Sequence, residues 1–213
     1  MNLPETACIS IRGPQNLLDL GGFHWGDDII FDSSSGGIDA DAGFKQSTQL
    51  LQGVVLTALV EKCGYRLREI VFFGFGQGGM AALNAAGTTY GQHNRSIAKK
   101  TSVKLHESAK PESSAELGGV VSIGGPLPAE APASIDPKCK TPVLVCAGSD
   151  ASLVTSGSET KLRHCFDHVE IKRYRKPGDS MPSNRDEMMP IVQFFARRLR
   201  STKGVPKGSV DVG

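Results

Sequence analysis

Apolar residues in this chain gather into short runs separated by polar stretches, and the spacing inside each run predicts a conformation. ACISIRG, residues 7–13, is apolar and β-branched and closes on Gly-Pro, which predicts a strand. A loop rich in Gly, Asp and Ser follows to residue 37 and carries the only tryptophan, in GGFHWGDD. Over residues 38–63, Leu50, Leu51, Val54, Val55, Ala58 and Leu59 recur at helical spacing, and Gly64 is placed to stop a long amphipathic helix. Residues 70–75 form a continuous apolar run that enters a cluster of glycines, and residues 80–86 beyond them are good helix formers. That order is strand, tight turn, helix.

The second half continues the alternation. Residues 94–116, NRSIAKKTSVKLHESAKPESSAE, have few large apolar side chains and predict a flexible surface insertion. GGVVSIGG and TPVLVCAG predict two buried strands, and HVEIKRYRK an alternating one. A last helix over residues 186–200 would bury Met188, Ile191, Val192, Phe195 and Leu199, with Asp186 and Glu187 at its positive end. Pro190 places the helix start close by, because proline fits only the first turn. Near-continuous apolar strands alternating with helices mean a mostly parallel sheet with helices on both faces, so the fold class is α/β.

Composition changes this picture little. At 213 residues, 39% apolar and 22% charged, the chain fits one domain over residues 1–200 and a disordered tail over 201–213. A formal net charge of +2 gives no reason to expect nucleic acid, and the basic residues Arg197, Arg198, Arg200, Lys203 and Lys207 suit a solvated helix face and tail. Five cysteines without a C-x-x-C pair or zinc spacing argue against a disulfide framework and against a metal. Cys8, Cys63 and Cys146 lie among apolar residues, as buried thiols would. MNLPETACIS lacks a basic and apolar leader, and no apolar run reaches the ~20 residues of a membrane helix. A soluble, cytoplasmic protein without membrane insertion is expected.

The chemistry turns on FFGFGQGGMAAL, residues 72–83. Gly74, Gly76 and Gly79 spell G-x-G-x-x-G, a possible cradle for a dinucleotide. That site needs an acidic residue for the ribose at the end of the next strand, about 20 residues on. Here that region is the polar insertion, and the next strand ends in Gly124 and Gly125. The same residues also spell a nucleophile elbow, G-x-S-x-G, with Gly76 at the serine position. A third possibility is purely structural: a tight turn with close helix-strand packing.

GFGQGGMAAL resembles the GFSQGGA elbow of the phospholipase/carboxylesterase branch of α/β hydrolases, which includes acyl-protein thioesterases. The resemblance extends through GGFHWGDDI, AGFKQS, GGVVSIGGPLP, TPVLVCAGSD and DEMMPIVQFF, roughly residues 7–200. It implies an α/β-hydrolase fold, no cofactor, and a small ester or acyl group as ligand. Carried over singly, the nucleophile falls on Gly76. The triad acid falls near Asp150, although the gap-free match is Ala151. The base, six residues before Glu187, falls on Met181. The backbone N–H of Gln77 would be half of an oxyanion hole, and His24 and Trp25 would line the cleft.

The resemblance also places a strand with an HG-type oxyanion loop ahead of ACISIRG, between it and residues 70–75 in the sheet. In this sequence that first strand and oxyanion loop are expected to be missing. Ser122 and Cys146, mid-strand, suit packed core groups better than nucleophiles, and His164 and His168 suit the surface better than a metal site. Nucleophilic catalysis needs nucleophile, base and orienting group in one constellation. The expectation is therefore a hydrolase-fold protein that binds or scaffolds. The alternatives are an active ester or thioester hydrolase with a displaced nucleophile, and a nucleotide-binding module.

Overall fold

The computed structural model describes residues 6–17, 21–31, 36–101 and 116–199. A two-residue hairpin comes first, β1 (Gln15–Asn16) with β2 (Phe23–His24). Helix α1 (Lys45–Gln52) runs on into wider π-type turns over Gly53–Lys62. Strand β3 (Val71–Phe75) then leads into α2 (Gln77–Thr101). The remainder is β4 (Gly119–Ile123), β5 (Val143–Ala147), α3 (Ser156–Cys165), β6 (Val169–Arg173) and α4 (Arg185–Arg198). The sheet runs β3-β4-β5-β6, each neighbour parallel, with Phe73 opposite Val121 and Val121 opposite Leu144.

The two central strands show why they read as unbroken apolar runs. Every residue of β4 and β5 is buried, because both faces of the sheet are covered. On one face Val120, Val143 and Val145 meet Leu83 and Ala86 of α2, Leu162 of α3 and Val55 of the π-type turns. On the other face Val121, Ile123 and Leu144 meet Ile191, Phe194 and Phe195 of α4. The expected α/β architecture with helices on both faces is what the chain adopts.

Several local expectations are corrected. Residues 7–13 are not a strand, and Ile9 is 60% exposed. A strand is held by a neighbour's backbone, and β3 is an edge strand: among the described residues nothing pairs with its outer side. The first long helix starts at Lys45 rather than residue 38. Its start is set from a distance, by the Asp27 carboxylate, which accepts from the backbone N–H of Lys45 and of Gln46 at 2.8 Å each. Gly64, at φ +76, ends the π-type turns and donates to the Val60 carbonyl, as its position promised.

Helix α2 continues to Thr101, into the stretch expected to be a flexible insertion. The remainder of that expectation, residues 102–115, and the tail 201–213 lie outside the described residues. Helix α4 begins well before Pro190, at Arg185, because Asn184 caps it by accepting from Glu187 N–H at 2.9 Å. Its buried face holds Phe194 in place of Val192, which is 37% exposed. Cys8 and Cys63 are exposed, whereas Cys146 is buried. No helix among the described residues is long and apolar enough to cross a membrane.

Candidate functional site

The glycines of the elbow have different jobs. Gly76 follows β3 at φ +52, the left-handed region, where a Cβ costs about 1 to 2 kcal/mol. A Cβ there would meet no atom within 4 Å. A Cβ on Gly74 would instead lie 2.4 Å from the backbone of Gly78, and one on Gly79 would lie 2.1 Å from Ser122 Oγ. Gly74 and Gly79 are therefore needed for close approach, and Gly76 only for its conformation. The turn is closed by Gly76 N–H donating to the Ile123 carbonyl at 2.9 Å and by Met80 N–H donating to the Gly76 carbonyl at 3.1 Å.

Gln77 opens α2, so its backbone N–H is at the end of a helix where donors lack intrahelical partners and the dipole is positive. Its side chain serves another purpose, which the sequence alone did not reveal. Gln77 Oε1 accepts from Trp25 N–H and Gln77 Nε2 donates to the Ala40 carbonyl, both at 3.2 Å. Ser47 Oγ donates to the Trp25 carbonyl. The tryptophan loop is thus stitched to the elbow, with the Trp25 indole nitrogen 3.4 Å from where a Gly78 Cβ would be. His24 beside it is buried, and neither ring nitrogen has a hydrogen-bond partner among the described residues.

The loops that follow β4, β5 and β6 lie at the same end of the sheet as the elbow. Gly125 packs against it, so that a Cβ there would lie 2.3 Å from the Gly76 carbonyl oxygen. Asp150, the nearest acid in the β5 loop, is exposed and accepts from its neighbour Ser149 Oγ at 3.0 Å. Ala151, the gap-free acid position, is the only non-glycine residue at positive φ among those described, at φ +49. Met181 is 45% exposed, and its carbonyl accepts from Lys176 Nζ.

The carboxylate that sequence reasoning missed is Asp179. Its Oδ1 accepts from Gly148 N–H at 3.0 Å and from Ser152 Oγ at 2.8 Å, and its Oδ2 from Leu153 N–H at 2.9 Å. Its Cβ lies 2.4 Å from where a Cβ of Gly124 would be, next to the Gly125 that touches the elbow. Residues 174–184 form a loop in which residue spacing does not fix position, so no count along the chain singles out Asp179.

Glu187 anchors that loop to α4. Its carboxylate accepts from Lys176 Nζ at 2.7 Å and from Ser183 N–H at 2.8 Å, and these bonds hold its pKa down at about 2. A carboxyl lowered by folding adds stability above its ordinary range and loses it as pH falls towards the folded value. The stability advantage of the native chain over Glu187→Gln is expected to be full at neutral pH and to vanish between pH 4.5 and about 2. Urea unfolding of both proteins across that range measures it.

The other candidates are core or surface groups. Ser122 is fully buried and donates to the Gly125 carbonyl at 2.7 Å. Burial pushes the Cys146 thiol up, away from a reactive thiolate. His164 and His168 are both exposed.

Comparison with known proteins bears on the family and the fold. The chain is 29% identical over 203 residues to an uncharacterized hydrolase of Schizosaccharomyces pombe, covering 92% of this chain and 73% of that protein. SOBER1 of Arabidopsis thaliana superposes with a TM-score of 0.50 at 19% identity, covering 84% of this chain and 76% of that one. YahD, solved with malic acid, gives a TM-score of 0.54 at 15% identity over 89% of this chain and 79% of that one. At these identities the structural likeness concerns the fold. The model of the phospholipase/carboxylesterase family matches residues 1–116, which hold the tryptophan loop, α1, the elbow and α2. With that match over more than half of its length and the sheet and helices continuing the same fold beyond it, this chain belongs to the phospholipase/carboxylesterase family of α/β hydrolases.

Proposed function

We propose that this chain is a catalytically degenerate member of its family, which binds or scaffolds an ester or acyl ligand rather than hydrolysing it. One observation carries this: the elbow keeps its backbone geometry, with φ +52 and open space where a side chain would project, yet the residue there is Gly76. The loop expected to supply a base offers a carboxylate, Asp179, whose two oxygens already accept three hydrogen bonds. Ser122 and Cys146 are poor substitutes for the nucleophile, one bonded in the core and the other with its thiol pKa raised. An active ester or thioester hydrolase would need a nucleophile outside this elbow.

The purified chain is expected to show no ester or thioester turnover above background and no labelling by a fluorophosphonate. In a hydrolase built on a triad, loss of the nucleophile costs about a millionfold in rate. Gly76→Ser should fold, since its Cβ has room, but acylate slowly for want of a base. Intact-mass spectrometry of the native chain, Gly76→Ser and Gly76→Ser with Asp179→His separates the alternatives. Fluorophosphonate labelling of the native chain, or rapid acylation of Gly76→Ser alone, would overturn the degenerate assignment.

A further inference from the structure

A concavity lies at the opposite end of the sheet from the elbow. In a parallel sheet all strands start at one edge, so the residues ahead of β3, β4, β5 and β6 come together there. With the end of α4 they line an open cleft of about 350 Å³, whose charged and titratable members are Arg68, Glu116, Lys140, His168, Arg197 and Arg198. Four are permanent cations and only Glu116 is an acid, in a chain whose formal net charge is +2. They are spread over 131 residues of sequence, and no local charge run announces them.

Part of this charge has a structural use. Arg197 and Arg198 close the last turn of α4, whose dipole is negative at that end, and Arg197 also pairs with Glu170 at 2.6 Å. Arg68 contacts Glu116 at 3.5 Å. Lys140 and His168 come from separate loops, are exposed, and have no helix end to complement; His168 Nε2 lies 3.9 Å from Asp167 Oδ2, which leaves Lys140, among the described residues, as the cleft's cation with no such structural use. Their convergence with three arginines in one concave site exceeds what α4 requires. Guanidinium groups match phosphate oxygens in pairs, and lysine adds a mobile point charge. The volume falls within the range of small-molecule sites and is larger than a single phosphate fills.

The geometry points to a second binding site at this edge for a small polyanion bearing a diphosphate group. It is independent of whether the elbow is catalytically degenerate. The diphosphate could be free or part of a nucleotide, and the two are distinguished by separate titrations.

The test is an amide-resonance titration of the full chain at low ionic strength with inorganic diphosphate, with ATP and with sulfate. Saturable shifts are expected around residues 116–118, 140–142 and 168, with a dissociation constant below about 1 mM for diphosphate and weaker binding of sulfate. Tighter binding of ATP than of diphosphate would assign the nucleotide form, and equal binding the free form. Lys140→Glu should weaken binding at least about tenfold, while Lys172→Glu, the same charge change elsewhere on the surface, leaves it within about twofold. Lys140→Gln provides a milder version should the glutamate variant fold poorly. Absence of saturable shifts, shifts that map to the elbow end, or equal loss in the Lys140 and Lys172 variants would overturn the proposal.

Discussion

Replacing Gly74 by alanine is expected to cost more than about 3 kcal/mol, whereas Gly76→Ala, two residues on, costs about 1 to 2 kcal/mol. Both residues belong to the same G-x-G-x-x-G, and a sequence motif treats them alike. The structure does not. A Cβ at Gly74 would be 2.4 Å from the carbonyl carbon and oxygen of Gly78 and 2.5 Å from the nitrogen of Gly79, the first turn of α2. Backbone cannot rotate away, so β3 and α2 must separate and open the core between them. At Gly76 the added methyl projects into open space and only the left-handed φ resists it. Thermal or urea unfolding of the two variants reads the difference directly. Because native stability is typically about 5 to 15 kcal/mol, Gly74→Ala is expected to leave a chain that is marginally folded. A Gly74→Ala protein as stable as Gly76→Ala would mean that the elbow is not packed as described.

The second large effect separates two neighbours on α4. Phe194→Ala is expected to cost about 3 to 5 kcal/mol, against about 0.5 kcal/mol or less for Val192→Ala. Phe194 is fully buried, its ring edge lies 2.7 Å from where a Cβ of Gly119 would be, and it stacks edge-on to Phe195. Removing the ring leaves a cavity between α4 and β4 that the rigid sheet cannot close. Val192 is 37% exposed, and alanine there gains helix propensity while losing little burial. Denaturant midpoints for both variants provide the check. A larger loss at Val192 would restore the apolar face expected from the sequence.

That expectation erred for an identifiable reason. Met188, Ile191, Val192, Phe195 and Leu199 make a plausible helical stripe, and Val192 and Phe194 differ by two positions on the helix. Periodicity fixes the width of an apolar face but not the angle at which it meets the sheet. That angle is set by Gly119, whose missing side chain makes room for the Phe194 ring. The start of α1 was illegible for the same kind of reason. Its cap is Asp27, a residue in a loop well upstream, and no local window contains it.

The candidate site divides in the same way. The elbow was legible because its chemistry is local: a strand, a residue at positive φ, and a helix within a dozen residues. Gly76 at the turn between strand and helix could be read directly, as could the mid-strand placement of Ser122 and Cys146. Asp179 could not, because it reaches the site across a loop whose length the sequence does not calibrate. The same holds for Gln77, whose side chain the sequence offered no reason to connect with Trp25 and Ala40.

Residues close together in the chain specified the α/β class, the parallel order implied by unbroken apolar strands, and the strand-turn-helix elbow with glycine at its turn. Packing between distant segments settles which glycines are required by contact, which carboxylate stands over the β5 loop, and that five basic residues share one cleft. Those outcomes depend on distances across the sheet, and such distances arise only when separate segments pack.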